Sequence, residues 1–224
     1  MADAPRRNGD CVTTRFPPLM NLKVKICGIT SAADALASVD AGADALGFMF
    51  YAPSPRCVNF DMVAGIVREL PPFVAKVGVF VNATEEEVRQ AIAECGLDTL
   101  QFHGEEPPEF CRRFGLKVIK AFRVRDAESL LQTHAYSSEA WLLDSYVAGQ
   151  LGGTGARFNW DLAKDAAKSH RAVLLAGGLT PENAAEAVRQ VRPFALDVSS
   201  GVESAPGKKD AAKVRAFIAA AKGA

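Results

Sequence analysis

Short apolar and β-branched runs recur along the chain, beginning near Leu22, Asp44, Ala75, Leu97, Lys117, Ala140, Ala172 and Phe194. Their spacing is about 20 to 32 residues, which leaves room after each for a helix that crosses back over a sheet. Helical periodicity fills those intervals over residues 32–40, 84–95, 180–191 and 208–221. Runs such as Val77-Gly78-Val79-Phe80-Val81 are nearly continuous in apolar character, as strands are when both faces are buried. Strand followed by helix, repeated eight times over residues 22–224, predicts an α/β fold of one domain, a parallel (β/α)8 barrel. A doubly wound open sheet shares the local pattern, but the count of eight and the lack of a Gly-x-Gly-x-x-Gly turn after the first strand favour closure.

Two helix starts sharpen the division. Thr84-Glu85-Glu86-Glu87 and Thr180-Pro181-Glu182-Asn183 each offer a hydroxyl cap followed by acidic or proline residues in the first turn. Residues 1–21 read differently: Arg6-Arg7-Asn8-Gly9-Asp10 is polar and Pro17-Pro18 interrupts regular structure, so a loose N-terminal extension is expected. Arg6, Arg7 and Arg15 also suit a transit peptide, against which Asp3 and Asp10 count.

Charge narrows the classes of partner. Lys plus Arg and Asp plus Glu are each 26, giving no net charge near pH 7 and no sign of a nucleic-acid or membrane surface. The five cysteines are widely spaced without a Cys-x-x-Cys pair, which fits a reducing cytoplasm rather than a disulfide framework or a zinc site.

In a barrel of this kind, chemistry belongs to the C-terminal ends of the strands. The first strand ends on Cys27, ahead of a glycine and a helical pattern. There, helix N-terminal amides would draw a thiol pKa from about 8.5 toward neutrality. A small buried residue closing the strand is the plainer reading of the same position. Ser54-Pro55-Arg56 follows the second strand, Gln101-Phe102-His103-Gly104 ends the fourth, Lys120 and Arg123 lie on the fifth, and Asp144-Ser145 ends the sixth. Asp144 after Trp141-Leu142-Leu143 reads either as a turn carboxylate or as a carboxyl partly withdrawn from water and suited to acid catalysis. His103 reads as a loop hydrogen-bonder or as a site residue. Gly152-Gly153-Thr154-Gly155, Gly177-Gly178-Leu179 and Ser199-Ser200-Gly201 follow strands six, seven and eight, where glycine lets backbone N–H groups approach a phosphate.

Taken together, these segments resemble the phosphoribosylanthranilate isomerase family of tryptophan biosynthesis, from about Leu22 to Ile218. The resemblance rests on Lys25-Ile26-Cys27-Gly28-Ile29-Thr30, Ser54-Pro55-Arg56, Gly78-Val79-Phe80-Val81-Asn82, Gln101-Phe102-His103-Gly104, Leu143-Asp144-Ser145, Gly152-Gly153-Thr154-Gly155, Ala176-Gly177-Gly178-Leu179 and Asp197-Val198-Ser199-Ser200-Gly201-Val202-Glu203. Phe102 departs from the leucine usual in the family.

The resemblance implies an Amadori rearrangement of N-(5-phosphoribosyl)anthranilate to 1-(2-carboxyphenylamino)-1-deoxyribulose 5-phosphate. Asp144 is implied as general acid and Cys27 as general base, with no metal and no cofactor. Arg56 and Asp197 are implied near the anthranilate, with Gln101 and His103 also among the substrate-binding residues. Gly155, Gly177, Gly178, Ser199, Ser200 and Gly201 are implied around the phosphate. The expected partner is a phosphorylated aminosugar, and the expected assembly a monomer or homodimer. The related isomerase of histidine biosynthesis uses a pair of aspartates instead, and Cys27 argues against it. A barrel that binds a phosphorylated ligand without turning it over is the rival from another class.

Overall fold

The computed structural model describes residues 22–145, 160–168 and 172–224. The expectations for residues 1–21 and for Gly155 lie outside these. Eight parallel strands form one closed barrel: β1 Lys23–Cys27, β2 Ala45–Phe50, β3 Ala75–Phe80, β4 Thr99–Phe102, β5 Lys117–Val124, β6 Ala140–Ser145, β7 Ala172–Leu175 and β8 Ala195–Val198. Closure is made by β1, which pairs with β2 through Ile26↔Leu46 and with β8 through Lys25↔Asp197. The helices are α1 Ala32–Asp40, α2 Phe60–Glu69, α3 Glu85–Cys95, α4 Pro108–Cys111, α5 Trp160–Ala167, α6 Ala184–Val191 and α7 Ala211–Lys222.

Alternation along each strand divides the interior into two cores. Val77, Ile119, Ala121, Ala140, Leu142, Leu174, Ala176 and Ala195 fill the barrel, whereas Val24, Ile26, Leu100, Phe102, Trp141, Leu143 and Leu175 pack outward against the helices. The inward series on β5 and β6 runs through Ala121 to Arg123 and through Leu142 to Asp144, so the last inward position of each strand is polar. On β1 the inward positions are Lys25 and Cys27, alternating with the outward Val24 and Ile26. This phase is why the strand-end polar residues converge on one mouth.

Local signals fix the helix starts. Thr84 is the expected hydroxyl cap and also closes a capping box with Glu87, and Ser31, Asn59 and Asp210 cap α1, α2 and α7. Three expectations need correction. The regular part of α6 begins at Ala184, because the side chain of Asn183 instead closes the preceding loop, accepting from Thr180 N and donating to Gly178 O. Lys208 and Lys209 do not open the last helix. They form β10, paired antiparallel with β9 Glu203–Ala205, and Asp210 starts α7. Between β5 and β6 the described crossover is a 3-10 helix over Glu128–Ala135.

Candidate active site

A cavity of about 450 Å³ opens at the C-terminal ends of the strands. Cys27 of β1 and Asp144 of β6 both line it, 6 % and 5 % exposed, from strands separated by β7 and β8. Gln101, His103, Arg56 and Asp197 line it too, as do Gly177, Gly178, Ser199, Ser200 and Gly201. Lys120 does not. It stands on the outer side of β5, where its ammonium bonds the Glu106 carboxylate at 3.0 Å and the Gly104 carbonyl at 2.6 Å.

A histidine stands beside Asp144. His103 Nε2 stands 3.3 Å from Asp144 Oδ2, and Gln101 Nε2 lies 3.2 Å from His103 Nδ1. With the amide donating, Nδ1 accepts, and the imidazole proton sits on Nε2 facing the carboxyl group. The distance is close, but the Nε2–H does not meet hydrogen-bond geometry, so the carboxyl group is not committed to the ring. The signal for this relay is the Gln101-x-His103 spacing at the end of β4, which points both side chains inward.

The thiol environment differs from the sequence expectation. Burial pushes the Cys27 pKa up, Lys25 and Lys209 pull it down, and Asp197 pushes it further up. The helix that was expected to draw it toward neutrality begins at Ala32, with its cap on Ser31, four residues past the thiol. A helix terminus acts only within about one turn, so the cations beside Cys27 replace it as the stabilising charge.

Arg56 is tied by a fork. Its Nε donates to Glu203 Oε1 at 2.8 Å and its Nη2 to Glu203 Oε2 at 2.7 Å, and neither bond uses Nη1. Glu203 Oε1 also accepts from Lys209 Nζ at 2.8 Å. Burial pushes the Glu203 carboxyl up, but the bonds from Arg56 and Lys209 outweigh it and hold the group below the usual carboxylate range. Lys209 Nζ also reaches the Ser199 carbonyl at 3.3 Å, joining the β9–β10 ribbon to the loop after β8. Asp197 shares Oδ1 with Lys25 Nζ at 2.7 Å.

The glycine-bearing loops after β7 and β8 pack directly on each other. A Cβ on Gly201 would fall 1.9 Å from the Leu179 carbonyl oxygen, so the two loops approach as closely as they do only because residue 201 has no side chain. Ser199 Oγ is buried beside them without a hydrogen-bond partner among the described residues. Buried polar groups without partners are rare, and this one lines the cavity.

The model of the N-(5'-phosphoribosyl)anthranilate isomerase family matches residues 24–220. The chain belongs to that family. It is 56 % identical over 202 residues to the N-(5'-phosphoribosyl)anthranilate isomerase of Geobacter sulfurreducens, covering 90 % of this chain and 99 % of the relative. The corresponding protein of Geobacter metallireducens is 57 % identical over 201 residues, covering 90 % and 99 %. Among solved structures, the Thermotoga maritima phosphoribosylanthranilate isomerase superposes with a TM-score of 0.86 at 44 % identity, over 91 % of this chain and all of that one. A second isomerase structure, in complex with reduced 1-(o-carboxyphenylamino)-1-deoxyribulose 5-phosphate, gives a TM-score of 0.82 at 43 % identity, over 91 % and 100 %. As a phosphoribosylanthranilate isomerase, the protein carries out an aldose-to-ketose Amadori rearrangement in tryptophan biosynthesis.

Four residues of the isomerase site carried no role in the sequence reading. Glu203 and Lys209 reach Arg56 and Ser199 through a ribbon whose fold-back leaves no periodic trace. Lys25 carried a signal that could have been used, a lysine in the middle of a strand otherwise buried on both faces. Arg123 lines the cavity, and its buried Nε has no partner among the described residues.

Proposed function

We propose that Asp144 and Cys27 divide the proton transfers of the rearrangement. Asp144 protonates the furanose ring oxygen as the anthranilate nitrogen pushes the ring open to an iminium. Cys27, as thiolate, then takes the C2′ proton, which the iminium has made acidic, leaving an enolamine that ketonises to the product. The observation that carries this reading is the placement of one buried thiol and one buried carboxyl, from non-adjacent strands, on the wall of a single cavity. An acid and a base that served one planar intermediate would stand in this way.

Gly177, Gly178, Ser199, Ser200 and Gly201 hold the substrate phosphate, fixing the sugar between acid and base. Gly155, outside the described residues, belongs to the same proposed cradle. Arg56 through Nη1 and Arg123 through its unpartnered Nε face the anthranilate carboxylate, and the remaining oxygen of Asp197 accepts the anilino N–H. Gln101 and His103 set the Asp144 carboxyl group toward the ring oxygen. Loss of anthranilate fluorescence from freshly made substrate tests the assignment. Turnover by the intact protein, with losses of about 10²–10⁴-fold in Cys27→Ser and Asp144→Asn at unchanged melting temperature, supports it. Retained isomerisation in either folded variant sinks the role of that residue.

The working assembly is a monomer or a homodimer. A Thermotoga maritima relative is described as dimeric, in a structure of monomers generated from it. Light scattering behind a sizing column separates the two. A reducing cytoplasm suits the four described cysteines, all free. Among the described residues no helix is long and apolar enough to cross a membrane.

A further inference from the structure

Lys25 lies below the thiol on the same face of β1, 2 % exposed, and bonds Asp197 across the β1–β8 seam at 2.7 Å. A lysine withdrawn this far from water costs free energy unless its charge meets an anion. Asp197 supplies one, yet one carboxylate oxygen leaves ammonium protons over. The neighbouring strand shows where they face. Gly47 of β2 sits beside Cys27 in register, and a Cβ there would lie 2.8 Å from Cys27 Sγ and 3.1 Å from Lys25 Nζ. The sulfur and the nitrogen therefore share the space over one glycine and are at most about 5.9 Å apart.

We propose that Lys25 is the positioning residue that gives Cys27 its thiolate: the buried ammonium, anchored by Asp197, stands as counter-ion to the sulfur over the bare backbone of Gly47. The proposal rests on the reading of Cys27 as base. The other charged groups around the sulfur repel a thiolate, are bonded to Glu203, or stand on the distant strands β4 and β6. Asp197 on β8 repels a thiolate, and Lys209 on β10 is bonded to Glu203 and to the Ser199 carbonyl. Arg56, from the loop after β2, is forked onto Glu203. Asp144 and His103 face the cavity from β6 and β4 and are turned to each other. On ionisation the thiol proton leaves to water, the thiolate takes the substrate's C2′ proton, and the resulting thiol returns to the same equilibrium beside Lys25.

The test is the pH dependence of Cys27 alkylation by iodoacetamide, read at the Cys27 peptide by mass spectrometry so that exposed Cys57 does not interfere. An opposite charge at this separation moves a thiol by about 1–3 pH units, so the alkylation midpoint of Lys25→Met should rise by that amount. Alkylation at pH 7 should slow about ten-fold or more, with kcat falling in step and KM within about two-fold. An unchanged midpoint in folded Lys25→Met overturns the proposal, whatever happens to activity. Lys25→Met leaves Asp197 alone in the barrel, so Lys25→Met/Asp197→Asn, without the charged pair, is measured beside it and stands in if the single variant does not fold. Measured against Asp197→Asn, a raised midpoint in the double variant supports the lysine as counter-ion, and an equal midpoint overturns it by assigning the effect to the stranded aspartate. Cys27→Ala separates the two readings: turnover without the thiol removes the base assignment, while the alkylation midpoints still judge Lys25.

Discussion

Replacing Gly201 by alanine should separate the loops after β7 and β8 without touching Asp144, Cys27 or Arg56. The added Cβ would sit 1.9 Å from the Leu179 carbonyl oxygen and 3.3 Å from Thr180 Cα. Real Cβ contacts do not fall below 3.0 Å, so the loop after β8 must move from the loop after β7 by at least about 1.1 Å. Both neighbours are backbone, and the Asn183 bridge to Thr180 N and Gly178 O prevents the β7 side from yielding cheaply. A charge-assisted bond of ordinary length stretched by that amount is effectively broken.

If donors from both loops share one phosphate, the shift leaves the anion with one loop only. Losing two bonds of about 1.5–3 kcal/mol each lowers kcat/KM by about 10²–10⁴-fold. The assay is steady-state loss of anthranilate fluorescence, together with inhibition by inorganic phosphate, which should weaken in parallel. Gly65→Ala is the control. It lies in α2 with its nearest neighbour, Arg68 Nη2, at 4.0 Å, and should raise stability by about 0.5–1 kcal/mol with unchanged kinetics. A folded Gly201→Ala protein with kcat/KM within about three-fold of wild type would refute the shared cradle.

Arg123→Met should raise KM for phosphoribosylanthranilate by about ten- to a hundred-fold, the worth of one charged hydrogen bond, while an aniline analogue without the carboxylate should show no difference between the two proteins. Equal losses with both substrates would remove Arg123 from the carboxylate. Asp44→Asn tests the opposite rim of the barrel. Burial pushes the Asp44 carboxyl up, but bonds from Lys222, Lys23 and the Val24 amide outweigh it and lower its pKa. A carboxyl depressed in the folded state stabilises fully above its unfolded pKa, about 3.9, and loses that contribution as pH falls through the folded value. Urea unfolding should therefore show wild type more stable by about 0.5–1 kcal/mol at pH 7, screened because Lys23 and Lys222 are part-exposed, and the gap closing below pH 4; a gap undiminished at pH 2.5 contradicts the linkage.

The barrel was legible because parallel strands buried on both faces must be apolar throughout, and eight such runs stand at crossover spacing. Phe102 illustrates what pattern alone leaves open. It replaces the leucine usual in the family, yet it faces outward, with ring centroids 5.6 Å from Phe110 and 5.7 Å from Phe114, so the larger side chain enlarges an aromatic cluster and leaves the site untouched. The short α4 and the 3-10 crossover were not legible, because neither carries enough turns to establish a period. The site was readable wherever a polar residue stands at a strand end in the inward phase, as Cys27, Gln101 and Asp144 do. It was unreadable where two distant segments meet, as in the fork from Arg56 to Glu203, 147 residues apart.

The thiol is the place where local reading and assembled structure part most clearly, and the difference bears on the order of events. A thiol activated by a helix terminus would be a base before substrate arrives. Burial instead favours the neutral form in the empty site, against the pull of Lys25 and Lys209. On the proposed roles, the substrate brings phosphate and carboxylate groups, whose negative charge opposes a thiolate further. In that proposal the iminium adds to Lys25 the charge that favours the thiolate, and it forms only after Asp144 has given up its proton and the ring has opened. A thiol that ionises most readily beside that cation removes C2′–H from the opened chain in preference to the closed sugar. Burial then confines the base to the intermediate on which it acts.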